Sequence, residues 1–250
     1  MMNDLIYNGT SLRKLGFAVS HFPIHSVAKR DIEFKSVLGR SGDVIVDNQR
    51  FHNVDMPPYE INTYALDLLQ NKELLERRLI DWLMGGDGSY KVLEDSTKPG
   101  YFTRAVCTEI SELTTNNLNG YLATSVRFNR EPFWYLKSGQ APVEWTGTSP
   151  QVIENPEPYT AFPVITIEGE GSMILTVNGT YFNITLTQNN PRIVLDCENM
   201  HAYNSNGSMD GYFSGDYFPV LRVGTNHIRV WTEHSATIGA CSMIPNWRRL

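Results

Sequence analysis

A chain of 250 residues, 41 % apolar and 19 % charged, can bury a sizeable core and exceeds the usual single-domain length, so two domains are expected. A formal charge of −6 and a pI of about 5.5 argue against a basic nucleic-acid-binding surface. Thirteen prolines, nineteen glycines and many short β-branched runs predict a mainly β architecture.

The first element expected is a short strand, Leu5-Ile6-Tyr7, turned by Asn8-Gly9 and followed by an extended piece around Phe17-Ala18-Val19. The most informative segment comes next. From Arg30 to Asp43 the apolar Ile32 and Phe34 alternate with Asp31, Glu33 and Lys35, which reads as a strand. It enters a tight turn with Gly39 and Gly42 on either side of Arg40, then a second strand, Val44-Ile45-Val46. The product is a protruding hairpin with no catalytic side chain. Extended chain is expected up to Tyr64, interrupted at Met56-Pro57-Pro58, because proline cannot donate to a ladder.

One helix is predicted, capped by Asn71 and running to Leu83, with Leu75, Leu79, Trp82 and Leu83 as its apolar stripe and Gly85-Gly86 as its stop. Glu73 and Arg77 face solvent one turn apart. A hairpin follows, Tyr90 to Leu93 and Tyr101 to Val106, with further strands at 106–113 and 121–128. Near Pro132 the texture changes to a proline-rich stretch with no helical period. Beyond Ala161 seven strands are expected, at 162–168, 172–177, 180–187, 192–196, 218–223, 227–233 and 236–244, the pattern of a sandwich. The domain boundary is placed at 136/137.

Little in the sequence carries chemistry. His21 and His25 have the spacing of a helical metal pair, but Phe22-Pro23 blocks the helix, leaving two loop histidines. Glu168 and Glu170 are interleaved with Gly169 and Gly171, which reads as a solvated hairpin turn rather than a glycosidase pair. Asn204-x-Asn206-Gly-x-x-Asp210 lacks the carboxylates of a calcium loop. No metal, cofactor or catalytic residue is therefore expected, and the chain is read as no enzyme. Cys107, Cys197 and Cys241 suit neither a disulfide framework nor a zinc site and are read as buried thiols. Met-Met-Asn-Asp at the start has no basic or apolar run, so no signal peptide is expected, and no stretch reaches the roughly 20 apolar residues of a membrane span. The Asn-x-Ser/Thr triplets at Asn8, Asn178, Asn183 and Asn206 are then turns and strand ends in a chain made in a cytoplasm. Of the second-half aromatics, Tyr203, Tyr212, Phe213 and Tyr217, in a glycine-rich loop, are the candidates for exposure to a partner or glycan.

The 30–46 hairpin resembles the N-terminal part of the distal tail (Dit) proteins of long-tailed siphovirus bacteriophages infecting Gram-positive bacteria. The likeness continues through Trp82-Leu83, Lys91-Val-Leu-Glu-Asp95, Pro99 to Ala105, Phe162 to Gly169, Ile193 to Glu198, Phe218 to Ile228 and Ile244 to Arg248. Asn246 departs from it, standing where an arginine is common in the family. The resemblance implies a structural baseplate hub at the distal end of the virion tail, a homohexameric ring joining the tail tube to the tail-tip protein and to receptor-binding or baseplate proteins. It implies an N-terminal ring-forming domain, 1–136, of β-sheet with one helix, and a C-terminal galectin-like sandwich, 137–250. Within it, Arg30, Ile32, Phe34, Gly39, Arg40, Gly42 and Asp43 are assigned to ring assembly. Asp31, Glu33, Asp43 and Asp47 are assigned to the lining of a channel that genomic DNA crosses only in transit. No membrane insertion is expected. The alternative is a stand-alone carbohydrate-binding sandwich, which would have no need of the 30–46 hairpin or the helix.

Overall fold

The computed structural model describes residues 4–63, 72–116, 121–232 and 236–250. Tyr64 and the expected helix cap Asn71 lie outside them. Strands dominate, and among the described residues there is one α-helix. The chain divides into two compact units, Met1–Trp134 with Leu250, and Tyr135–Arg249.

The sheet of the first unit runs in the order Thr10–Ser11, Leu5–Tyr7, Lys91–Asp95, Tyr101–Ile110, Tyr121–Arg130, Tyr59–Thr63, Phe17–His21. Asn8-Gly9 turns the first strand as expected, but onto Thr10–Ser11, placing Tyr7 opposite Thr10, while the extended piece Phe17–His21 pairs with Tyr59–Thr63 instead. The strand expected at 106–113 is the continuation of the one before it, a single strand Tyr101–Ile110 that ends short of its predicted limit. Helix Lys72–Met84 buries Leu75, Leu79 and Leu83 in the same core as Leu5, Phe17, Tyr59 and Phe128. Trp82 is only half-buried; its indole donates to the Tyr7 carbonyl at 3.1 Å.

The second unit consists of two sheets around one core. The first sheet is Val143–Thr146, Thr237–Ile244, the start of Val164–Val177, Arg192–Asp196, His201–Asn204 and Gly207–Ser208. The second is Gln151–Asn155, Gly224–Thr232, the end of Val164–Val177, Thr180–Leu186 and Phe213–Ser214. One 14-residue strand, Val164–Val177, therefore serves both. Ile165 and Ile167 from its first half and Met173, Leu175 and Val177 from its second line a common core.

Three expectations are corrected here. Glu168-Gly-Glu-Gly171 is no hairpin turn; it is a bulge inside that long strand, where the register to Thr237–Ile244 slips between Ile167 and Gly169. A side chain at 169 has no room, since its Cβ would stand 2.3 Å from the Thr237 carbonyl oxygen, and φ there is 157°. Gly169→Ala is expected to destabilise the chain by at least about 2 kcal/mol, read as a lower denaturation midpoint in urea, because backbone rather than a flexible side chain must move. The strand expected at 218–223 is irregular chain with a single bridge, Ala161 to Leu221. Pro219 cannot donate, and the fully buried Asn226 amide bonds Arg222 N, Arg222 O and Gly224 O, each at 2.8 Å, clamping a loop instead. Conversely, Val143–Thr146 and Gln151–Asn155 are strands inside the proline-rich stretch. Asn246 has φ 56°, a conformation asparagine tolerates, and its buried amide donates to the Phe162 carbonyl while accepting from Gln140.

Cys107, Cys197 and Cys241 are buried free thiols, and burial pushes all three up, Cys107 and Cys241 to about 11.

Candidate functional site

The hairpin pairs Arg30–Lys35 with Val44–Phe51, antiparallel, as a two-stranded sheet of its own. Phe34 stands opposite Ile45 and Ile32 opposite Asp47, so the alternation read in the sequence does place Ile32, Phe34 and Ile45 on one face. Among the described residues nothing covers that face: Phe34 and Ile45 are each 63 % exposed, and Leu38 at the tip is fully exposed. Gly39 and Gly42 turn the tip at φ 81° and 85°, a region closed to most side chains, and Arg40 N is held by the Val37 carbonyl at 3.1 Å. Arg40 and Asp43 sit exposed at this tip.

A two-stranded hairpin without a core is at best marginally stable in water. Polar pairs stiffen this one. Three residues, Asn48 to Arg50, bulge opposite Asp31, with Gln49 at φ 57°. Asp31 accepts from the Arg50 guanidinium and from Asn48 at 3.1 Å, and chiefly the Arg50 bond holds its carboxyl below the usual range. Asp47 pairs with Arg30 at 3.1 Å, and Glu33 with Lys35 at 3.2 Å. Three of the four carboxylates assigned to a channel thus have cationic partners within the hairpin. At the base, Phe51 meets Phe133 edge-on at 5.5 Å and carries Arg30 over its ring.

The segment leading into the hairpin is pinned by a buried network that the sequence did not reveal. His25 is no plain loop histidine. Its Nε2 lies 2.8 Å from Asp95 Oδ2, a carboxylate with no exposure, and its ring packs against Trp134 at 5.1 Å. Asp95 also accepts from the Tyr59 hydroxyl at 2.9 Å and from the Thr97 amide and hydroxyl, both at 2.7 Å. Burial pushes Asp95 up, but the donors from His25 and Thr97 prevail and hold it below the usual carboxylate range. Burial, then the Asp95 charge, pushes Tyr59 far up. Arg130, drawn down to about 10 by burial, spends its guanidinium on the carbonyls of Glu131, Pro132 and Ser26. Ser26 and His25 are thereby both tied to the sheet just ahead of the arm.

Comparison with solved structures decides the fold. The crystal structure of the SPP1 Dit protein, described as a paradigm of the hub adsorption apparatus in phages infecting Gram-positive bacteria, matches over 100 % of both chains with a TM-score of 0.69 at 14 % identity. The fold is the Dit fold. Chains of the phage P2 baseplate in its activated conformation, with Ca and with Sr, match 100 % and 97 % of this chain and 98 % of their own, with TM-scores of 0.50 and 0.51 at 9 % and 8 % identity. No family model matches the sequence, and no curated protein does.

On this Dit fold the aromatic candidates separate into two groups. Tyr203 and Tyr217 are exposed, Tyr203 stacked on His201 at 5.6 Å. Tyr212 and Phe213 are not: both are half-buried against the second core, Phe213 stacked on Phe182 at 5.9 Å. The expectation of exposure failed for these two because Phe182, facing inward from Thr180–Leu186, needs an aromatic lid. Tyr181 and Trp231, more exposed than Tyr203, face outward from regular strands and were not singled out. Asp210, which follows Asn204 and Asn206 in that loop, accepts from Ala202 N, which chiefly depresses it, and from Ser208.

Proposed function

We propose that the chain is a structural subunit of a phage tail tip, a hub whose copies close into a homohexameric ring through the 30–51 arm. The observation that carries this reading is the arm: a projecting hairpin whose apolar face the described residues leave open. A neighbouring copy that covers Phe34, Ile45 and Leu38 supplies the missing core, and heterologous contacts of this kind close into rings. The full-length likeness to a hub protein supports the same role. In this reading the first unit forms the ring against the tail tube and the second carries receptor-binding or baseplate proteins, with the tail-tip protein on the opposite face. The role is mechanical and needs no catalysis.

A charge of −6 per chain gives about −36 over six copies, which repels phosphate in transit. With Asp31, Glu33 and Asp47 paired inside the arm, Asp43 at the tip is the strongest candidate for the lining.

Native mass spectrometry of the purified 28.4 kDa chain should show a species of about 170 kDa, and reconstruction of tail tips a sixfold ring with Asp43 toward the bore. A monomer in solution together with tails lacking such a ring would refute the assignment. Asp43 on the outer rim would remove the lining alone.

A further inference from the structure

Helix Lys72–Met84 carries more apolar side chains than its own core takes. Leu75, Leu79 and Leu83 are buried, while Ile80 and Met84, one turn apart beside that stripe, are 43 % and 47 % exposed. A surface helix normally presents polar residues outside its buried stripe. Ile80 and Met84 instead line an apolar groove of about 270 Å³, together with Ile110 and Leu113 at and just beyond the end of strand Tyr101–Ile110. Glu76 and Glu112 complete the lining, which among the described residues holds no cation.

Size, charge and placement select one occupant, the arm of another copy. Phe34 and Ile45 stand directly opposite each other on one face of the arm, so their side chains enter a cavity as a pair. A dry cavity of about 150 Å³ holds a benzene ring, and 270 Å³ takes such a ring with an aliphatic side chain beside it. The tip of the arm, 35–42, carries Lys35 and Arg40 and no acid, against the two glutamates of the groove. Groove and arm also border one strand, Tyr121–Arg130, at different points. The arm closes where His52 N donates to the Lys29 carbonyl, two residues before Val54, which stands opposite Arg130. The groove lies where Ile110 stands opposite Val126 and Thr114 opposite Ala123. Root and groove are thus about 14–24 Å apart along the strand. Two distinct patches of this kind make a head-to-tail contact, which passes from copy to copy, rather than a two-fold one.

We infer that the groove between helix Lys72–Met84 and segment 110–113 receives the arm of the neighbouring copy, with Phe34 and Ile45 filling it and Arg40 meeting its glutamates. The inference rests on ring formation through the arm and adds the acceptor. For the test, full-length chains carrying Arg40→Cys are mixed with chains carrying Glu112→Cys and treated with a short bismaleimide. Both positions are exposed, the apolar contact stays whole, and wild type, whose three thiols are buried, is the blank. A cross-linked dimer should form in the mixture and in neither chain alone. Ile80→Asp, at an already exposed position, should weaken assembly at least about tenfold in native mass spectrometry while the melting temperature stays put. Should Ile80→Asp fail to fold, the thiol pair carries the test. Hexamers that form without the cross-link, or undiminished in folded Ile80→Asp, would overturn the groove and leave the ring standing, its arm seated elsewhere. Wild-type chains that assemble neither in solution nor on tails would overturn ring and groove together.

Discussion

Replacing Phe34 and Ile45 together by aspartate is expected to leave the subunit folded and to abolish its ring. Both side chains are already 63 % exposed in the single chain, so the fold loses almost no burial, and surface changes of this kind usually cost within about 0.5 kcal/mol. At a closed interface the same change puts two carboxylates where apolar contact is required. Central interface positions typically cost about 2 kcal/mol or more when truncated, and two of them weaken each contact by at least several hundredfold. In a closed ring every subunit feels the change twice, once as donor of the arm and once as its acceptor. Native mass spectrometry should therefore show only the 28.4 kDa species, with an unaltered melting temperature. A doubly substituted chain that still forms hexamers at wild-type concentration would mean that assembly runs through another surface.

The arm is also where sequence and structure agree best, and the reason is local. Alternation of Ile32 and Phe34 and the positive φ of Gly39 and Gly42 are decided within a few residues, so they can be read before any fold is known. What alternation cannot say is whether anything covers the apolar face; in this chain the described residues leave it open. Errors arose where distant partners decide. Gly169 and Gly171 look like turn residues, yet the strand runs through them because it finds Thr237–Ile244 on one side of the bulge and Gly224–Thr232 on the other. The strands Val143–Thr146 and Gln151–Asn155 were hidden by Pro142, Pro150 and Pro156. Those prolines bracket the strands and never enter them, so no ladder donor is lost. Most distant of all is the pairing of His25 with Asp95. The only local trace of it is Asp95-Ser-Thr97, whose Asp-x-Thr spacing matches the turn that Asp95 caps.

That network supplies the second large effect. Asp95→Ala would leave the fully buried Tyr59 hydroxyl and the largely buried His25 imidazole without their shared acceptor, while the exposed Thr97 can turn to water. Removing one partner of a buried pair costs on the order of 3–5 kcal/mol, enough to lower the melting temperature by about 10 °C or more in a domain of this size. The dependence on pH has a definite sign. Asp95 is held below its ordinary value in the folded chain, so its contribution is full above the unfolded carboxylate value, about 3.9, and is lost as pH falls through the lower folded value. Calorimetry should show a wide gap between wild type and Asp95→Ala at pH 7 that narrows on acidification below about pH 4. The same substitution frees the His25 and Ser26 segment at the root of the arm, so ring formation should weaken even where the chain remains folded. A gap that is small at pH 7, or that stays constant into acid, would show that Asp95 is not the acceptor on which this corner of the fold depends.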